Sequence, residues 1–317
     1  MKQDEVNLAY QCANLYHRQG LSQEEIAHKL AISRPKVSRL LALALRVGIV
    51  TITVRPPELF DQTALESRLA KEYGLKRVII GTPEENTEHA IRLSIGVKFT
   101  EFLSELLAPH MRIGLGVGTT LYQMARALHP SFPVPDGIGI VPLAGSAGNS
   151  DPAYQVNTII DLFAEALGVE RKYLMAPSVC ESASQKRSFL ASPAVADIVD
   201  EWARLDAAFF GLGKAIEDSA VLNSSFPERL LIQMVKRHAV GDILVHFLDS
   251  DGGLACPEAE SLLISIPFAV LEKVPERVCL AGGAAKEAGL RAALKGGLIT
   301  TLITDLFTAQ LLAERRS

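Results

Sequence analysis

The chain has 317 residues, 48% of them hydrophobic and 21% charged, with a formal net charge of −4. That length is long for one core and the composition excludes extensive disorder, so a small domain beside a larger one is expected. Four scattered cysteines (Cys12, Cys180, Cys256, Cys279) form no CxxC pair and the seven histidines keep no ligand spacing, which argues against a zinc site or a disulfide framework.

The N-terminus lacks the apolar run of a signal peptide, and no uncharged apolar stretch of about 18 residues occurs elsewhere. A cytoplasmic protein with no membrane contact is the expectation.

Residues 4–19 place Val6, Leu8, Ala9, Ala13, Leu15 and Tyr16 at the spacing of an amphipathic helix, the first of a three-helix unit. A second helix follows Ser22, which can cap it, with Glu25 completing a capping box. Ile26, Ala27 and Leu30 share its inner face; Gln23, Glu24, His28 and Lys29 face outward. After the break at Ala31-Ile32-Ser33, Ser33 can cap a third helix, and Pro35 in its first turn forfeits no needed N–H. Val37, Leu40, Leu41 and Ala44 line that helix's apolar side, while Arg34, Lys36, Ser38 and Arg39 occupy the other.

A short turn leading into a helix whose first turns carry cations and hydroxyls is a helix-turn-helix arrangement, which inserts its second helix in the DNA major groove. An αα-hairpin with a solvated basic face is the plainer alternative. Charge favours DNA. Residues 1–57 hold eight Lys/Arg against four Asp/Glu, a balance of +4, in a chain at −4 overall, which leaves −8 for residues 58–317. Arg34, Lys36, Ser38 and Arg39, with Ser33 at the helix start, are the expected base and phosphate contacts; Ser22 and Gln23 would set the preceding helix on the DNA backbone. The partner is then a double-stranded DNA operator.

Residues 51–54 (Thr-Ile-Thr-Val) alternate like a strand and suggest a minimal wing. Arg55-Pro56-Pro57 can continue neither helix nor strand, so it marks the boundary between domains 1–57 and 58–317. Residues 59–73 form a further helix, a connector or dimerisation element. Beyond it, apolar strands are expected at 77–80, 112–115, 138–143, 207–210, 243–248, 277–280 and 298–303. Helical segments at 87–107, 121–128, 156–167, 195–205, 227–236, 284–294 and 306–313 separate them. Continuously apolar strands alternating with helices predict a mostly parallel α/β sheet covered on both faces.

Open α/β sheets bind ligands at the carboxyl ends of their strands, so the loops there are the candidates. After the 112–115 strand comes Gly116-Val117-Gly118-Thr119-Thr120, opening a helix. Glycines admit an anion to the backbone, hydroxyls bond it, and the helix N-terminus favours it, although a tight turn with capping threonines reads the same way. Gly145-Ser146 follows the next strand, Asp249-Ser250-Asp251-Gly252 follows 243–248, and Gly282-Gly283-Ala284-Ala285-Lys286 follows 277–280. For the Asp249 loop an ordinary hairpin turn is the strong alternative. No catalytic constellation, metal set or cofactor motif is visible.

Together GLSQEEIAHKLAISRPKVSRLL, IGLGVGTTL, VGDILVHFLDSDG, LAGGAAKEAGLRAALKGG and LITD, in this order along nearly the whole chain, resemble the SorC family of sugar-responsive transcriptional regulators. The resemblance implies a helix-turn-helix (winged) domain followed by an effector domain related to sugar-phosphate isomerases and deaminases. It also implies a homotetramer whose operator affinity changes when a phosphorylated sugar or polyol binds. Carried over, Gly118, Thr119 and Thr120 hold the effector's phosphate and Gly145 and Ser146 line the same pocket, with Gln155 and Asn157 after them. Asp249 accepts sugar hydroxyls and Lys286 pairs with an anionic group. Family members commonly have two aromatics before the aspartate, where this chain has Phe247-Leu248. The alternative is a sugar-phosphate isomerase or deaminase with an accessory N-terminal domain, which needs a placed general base.

Overall fold

The structure is a computed structural model that describes residues 3–50, 58–129, 132–147, 151–215 and 226–314. The expected strand at 51–54 and the Arg55-Pro56-Pro57 boundary lie outside the described residues. The chain separates into two compact units, Met1–Leu59 and Phe60–Ser317.

In the first unit the helical spacing produces α1 (Gln3–His17), α2 (Gln23–Lys29) and α3 (Arg34–Arg46). The capping box forms as expected: the Ser22 N–H donates to Glu25 at 2.8 Å and the Glu25 N–H donates to the Ser22 hydroxyl at 3.3 Å. Ser33 takes the extended cap conformation and Pro35 enters the first turn of α3, but the Ser33 hydroxyl makes no capping bond. Between the helices, Ala31 turns the chain at a φ of +52°. Ala9, Cys12, Ala13, Leu15, Ile26, Val37, Leu40, Leu41, Leu43 and Ala44 make the core. Ile26 and Val37 are fully buried, and each such burial contributes about 1.5–3 kcal/mol. Tyr16, expected in this core, is 40% exposed; it stacks edge-on with His17 at the helix end.

The second unit opens with α4 (Glu58–Tyr73) and is built on seven strands: β1 (Arg77–Gly81), β2 (Arg112–Leu115), β3 (Gly139–Pro142), β4 (Glu170–Arg171), β5 (Ala207–Gly211), β8 (Glu276–Leu280) and β9 (Thr301–Asp305). They pair in the order β1-β9-β8-β5-β2-β3-β4, and every pairing is parallel. Parallel pairing explains the apolar strand sequences, because alternate side chains enter two different cores. Val78, Ile80, Ala208, Phe210 and Leu302 join α4 and the helices α9 (Pro193–Trp202), α11 (Phe268–Leu271), α12 (Glu287–Lys295) and α13 (Leu306–Ala313) on one face, while α10 (Glu228–Lys236) joins a smaller cluster. Ile79, Ile113, Leu115, Phe209 and Ile303 join α5 (Glu88–Leu106), α6 (Thr119–Ala127) and α7 (Val156–Leu167) on the other.

Strand order reverses between β2 and β5, since β3 and β4 extend the sheet one way and β8 and β9 the other. The carboxyl ends of β2 and β5 therefore flank the crevice where such sheets take ligands.

Two strand expectations are corrected. Residues 243–248 are not one buried strand but an antiparallel hairpin, β6 (Gly241–Ile243) against β7 (His246–Leu248), outside the main sheet. Leu244 and Val245 turn it with φ of +53° and +65°, the positive angles that two-residue hairpins need at both central positions. Neither residue favours that conformation, so no turn signal interrupts the apolar run. The Asp242 carboxylate accepts the Val245 N–H at 3.1 Å and holds the turn. Residues 298–303 become a strand only from Thr301, after Gly297 turns at +68°. Among the short elements that escaped the reading are β4, α8 (Ala183–Leu190) and the single helical turn Phe268–Leu271; a two-residue strand, a helix without a buried residue and a four-residue turn carry no hydrophobic period to find.

Candidate functional site

On α3 the side chains sort by helical period. Val37, Leu40, Leu41 and Ala44 are buried while Arg34, Lys36, Ser38 and Arg39 are exposed. None of these three cations forms an ion pair among the described residues, so the face is a concentrated, unneutralised positive strip beginning at a helix N-terminus. Ser22 spends its hydroxyl within the capping box, which leaves its surface to position the start of α2, and Gln23 beside it is half-buried. Ser33 is exposed with its hydroxyl clear of any cap.

In the second unit the polar groups collect at the carboxyl edge of the sheet. Beyond β2 the chain turns at Gly118, φ +125°, into α6, whose first turn has no side-chain cap. Thr119 is exposed there and Thr120 buried. Uncapped N–H groups at a helix start, flanked by hydroxyls, suit an anion. The Gly118 N–H donates to the Ala153 carbonyl at 2.9 Å, tying this loop to the turn before α7 that carries Gln155. Gln155 in turn donates to the Ala147 carbonyl at 3.0 Å.

Gly145 follows β3 and packs on the 176–177 backbone so tightly that a Cβ would stand 2.4 Å from the Pro177 carbonyl. Ser146 bridges to Ala176 and Ser178 through its backbone, leaving its side chain half-buried. Asn157 does not share this setting. Both ends of its amide are bonded to the Leu174 backbone, at 3.2 and 3.1 Å, so it braces α7 against the 174 segment.

On the far side of β5, Lys286 closes a single helical turn, Ala284–Lys286, that leads from β8 into α12. Gly283, φ +97°, aims that turn, and its N–H donates to Thr308 at 2.7 Å and Asp305 at 3.2 Å. Asp305, fully buried, also caps α13 through Thr308. Burial pushes the Lys286 ammonium below the usual lysine range, opposed by the nearby Cys279, Asp242 and Glu88. Asp242 is its counterpart: burial raises this carboxyl to about 6, against the pull of the Val245 N–H, His246 and Lys286. Cys279 beneath them is pushed up to about 12 by burial.

The family resemblance makes Asp249 the acid of this pocket, whereas the structure shows the tight turn that its own sequence suggests. Its carboxylate closes a tight turn by accepting the Asp251 and Gly253 N–H groups, both at 2.9 Å. Gly252 of that turn packs on Ala292 and Gly296, at the opposite end of α12 from Lys286. The acid placed electrostatically against Lys286 is Asp242, seven residues earlier on the hairpin.

Four more residues were missed. Gly213 and Lys214 follow β5 at the switch point; a Cβ on Gly213 would lie 1.6 Å from an Asp242 carboxylate oxygen, so only glycine lets that acid in. Lys214 reaches Glu88 at 3.4 Å, and Glu88 pairs with Arg92 at 3.1 Å at the start of α5. Both cations hold the Glu88 carboxyl below its ordinary range, Arg92 first. The signal was present: Gly211-Leu212-Gly213 ends a predicted strand just as Gly116-Val117-Gly118 does.

The edge thus offers an anion cradle on α6, Asp242 and Lys286 near enough to feel each other's charge, and a further charged set at Glu88, Arg92 and Lys214. Such a site can fix a small polyhydroxylated anion in orientation. Among the described residues no group of three or more His, Cys, Asp or Glu is gathered as a metal site, and no helix is long and apolar enough to cross a membrane.

Residues 57–314 match the sugar-binding domain family model. The chain is 29% identical over 318 aligned residues to the deoxyribonucleoside regulator of Bacillus subtilis (strain 168), covering 99% of each protein. It is 28% identical to the sorbitol operon regulator of Klebsiella pneumoniae over 98% of this chain and 99% of that one. The crystal structure of full-length SorC from Klebsiella pneumoniae superposes with a TM-score of 0.77 at 27% identity, covering 99% of this chain and 100% of that one. These whole-length relatives are transcriptional regulators, not enzymes. The chain belongs to the sugar-binding domain family, in the company of the SorC-type regulators that its motifs resemble.

Proposed function

We propose that the protein binds a double-stranded DNA operator through α3 and changes its hold on that operator when a phosphorylated sugar or polyol enters the carboxyl-edge pocket. That it is a sugar-responsive transcription regulator follows from its family and its whole-length relatives. The finer reading rests on one observation above others: the uncapped N-terminus of α6, with Thr119 and Thr120, lies across β5 from Asp242 and Lys286, two groups near enough to feel each other's charge. Phosphate suits the first and sugar hydroxyls or a carbonyl oxygen the second. Gly145, Ser146 and Gln155 border the cradle, and Asp242, Gly213 and Lys214 extend the site proposed from sequence.

Arg34, Lys36, Ser38 and Arg39 carry the DNA contacts, with Ser22, Gln23 and Ser33 positioning the two helices. The protein works in the cytoplasm as a homotetramer on a palindromic site, because two-fold related recognition helices read two half-sites. An effector shifts DNA affinity only as far as it binds two assembly states unequally. A thermal-shift screen of phosphorylated and free sugars and polyols tests the pocket. Stabilisation by a phosphorylated compound but not its free sugar supports the cradle, and stabilisation by free sugars alone refutes it.

A further inference from the structure

Beyond the pocket and the recognition helix, the outer side of α5 is unusual. Ile91, Ile95, Phe99 and Phe102 face the core, yet Leu93 and Val97 on the opposite side are 58% and 60% exposed. A helix apolar on more than one side is normally covered on more than one side. Leu93 and Val97 form the floor of a groove of about 980 Å³ between α5 and α6, bordered by His89, Glu101 and Arg126.

The order of chemistry along the groove names its occupant. His89, Leu93, Val97 and Glu101 follow one another at intervals of four, a single row on the helix surface, and all four line the groove. The row is self-complementary when reversed. An antiparallel copy centred between Leu93 and Val97 sets Leu93 against the partner's Val97 and His89 against the partner's Glu101, each twice. Antiparallel apposition also sets opposite helix dipole ends together. At 19 residues α5 is about 28 Å long, by 1.5 Å per residue.

We propose that this face of α5 and α6 is a two-fold interface with a second copy of the chain, zipped by Leu93, Val97 and the His89–Glu101 pair. Glu101 already meets Lys98 at 2.8 Å on its own helix, an exposed pair that leaves a carboxylate oxygen for the partner. The proposal rests on the self-assembly put forward above. It adds where one of the contacts lies.

Sedimentation velocity on the full-length chain over a concentration series tests it. His89→Glu opposes two acids at each end of the row, and the dissociation constant of one assembly step should rise roughly tenfold or more. Glu101→Lys should weaken the same step, and the double variant His89→Glu/Glu101→Lys should restore it, a recovery that misfolding does not produce. Leu93→Glu with Val97→Glu should halve the assembled mass while keeping the melting transition. A wild type that is monomeric at all concentrations refutes both assembly and interface. An assembled wild type whose variants all keep its mass refutes this interface alone, and the groove then serves some other occupant. Failure of the double variant to recover refutes the His89–Glu101 pairing.

Discussion

Asp242→Asn gives the sharpest check on the pocket's electrostatics. Burial lifts the Asp242 carboxyl from an ordinary 3.8 to about 6, about two pKa units. At 1.36 kcal/mol per unit that is on the order of 3 kcal/mol. A carboxyl whose folded pKa lies above its unfolded value holds its proton more tightly when folded. Stability from this group is therefore present below about pH 4, falls between about pH 4 and 6, and stays low above. Asparagine keeps a carbonyl oxygen for the Val245 N–H but cannot ionise. Any fixed cost of the amide group, about 1–3 kcal/mol if its N–H lacks a partner, cancels when one pH is compared with another.

The melting temperature of the variant relative to wild type should therefore rise between pH 4 and pH 7.5 by on the order of 5–10 °C for a unit of this size. The Lys286 ammonium sets a ceiling on that gain, because without the Asp242 carboxylate it releases its own proton more readily. Differential scanning calorimetry of both proteins across the range is the assay. Parallel profiles for the two proteins would refute the assignment of a destabilising, ionised Asp242. A pocket acid retained against stability is what a ligand-binding role requires, so the variant should also lose effector binding.

Replacing Arg34 and Arg39 together by alanine should abolish operator binding in gel shifts while effector-induced stabilisation persists; each alone should lower the salt dependence of binding by about one counterion. Gly213→Ala drives a Cβ onto Asp242 and should cost about 1–3 kcal/mol, seen as a lower melting temperature. Ala31→Gly relieves a φ of +52° and should stabilise the N-terminal unit by roughly 1 kcal/mol in urea denaturation.

The parallel sheet was legible because buried strands such as Gly139–Pro142 and Ala207–Gly211 are apolar along their length and each precedes a glycine-marked turn. The two-helix stretch was legible because Ser22, Glu25 and Pro35 have chemistry specific to helix starts. The hairpin was not. Leu244 and Val245 adopt positive φ under tertiary pressure, with Leu244 packed where any Cβ on Gly116 would stand, 2.7 Å from it. Missing that turn made 243–248 a sheet strand and hid Asp242, the acid just before it that Lys286 feels electrostatically. Asn157 looked like a pocket amide, but one-dimensional proximity to Gln155 says nothing of the Leu174 backbone that both ends of its side chain satisfy.

The most direct measurement is operator binding by the wild-type chain titrated with the phosphorylated compound that stabilises it most, beside the variant Thr119→Ala/Thr120→Val. The compound should change the wild-type operator affinity by fivefold or more, a coupling of about 1 kcal/mol, and the variant should bind operator normally but ignore the compound. An unchanged response in the variant would contradict the placement of the phosphate on α6, and a wild type indifferent to every stabilising compound would contradict effector control of DNA binding.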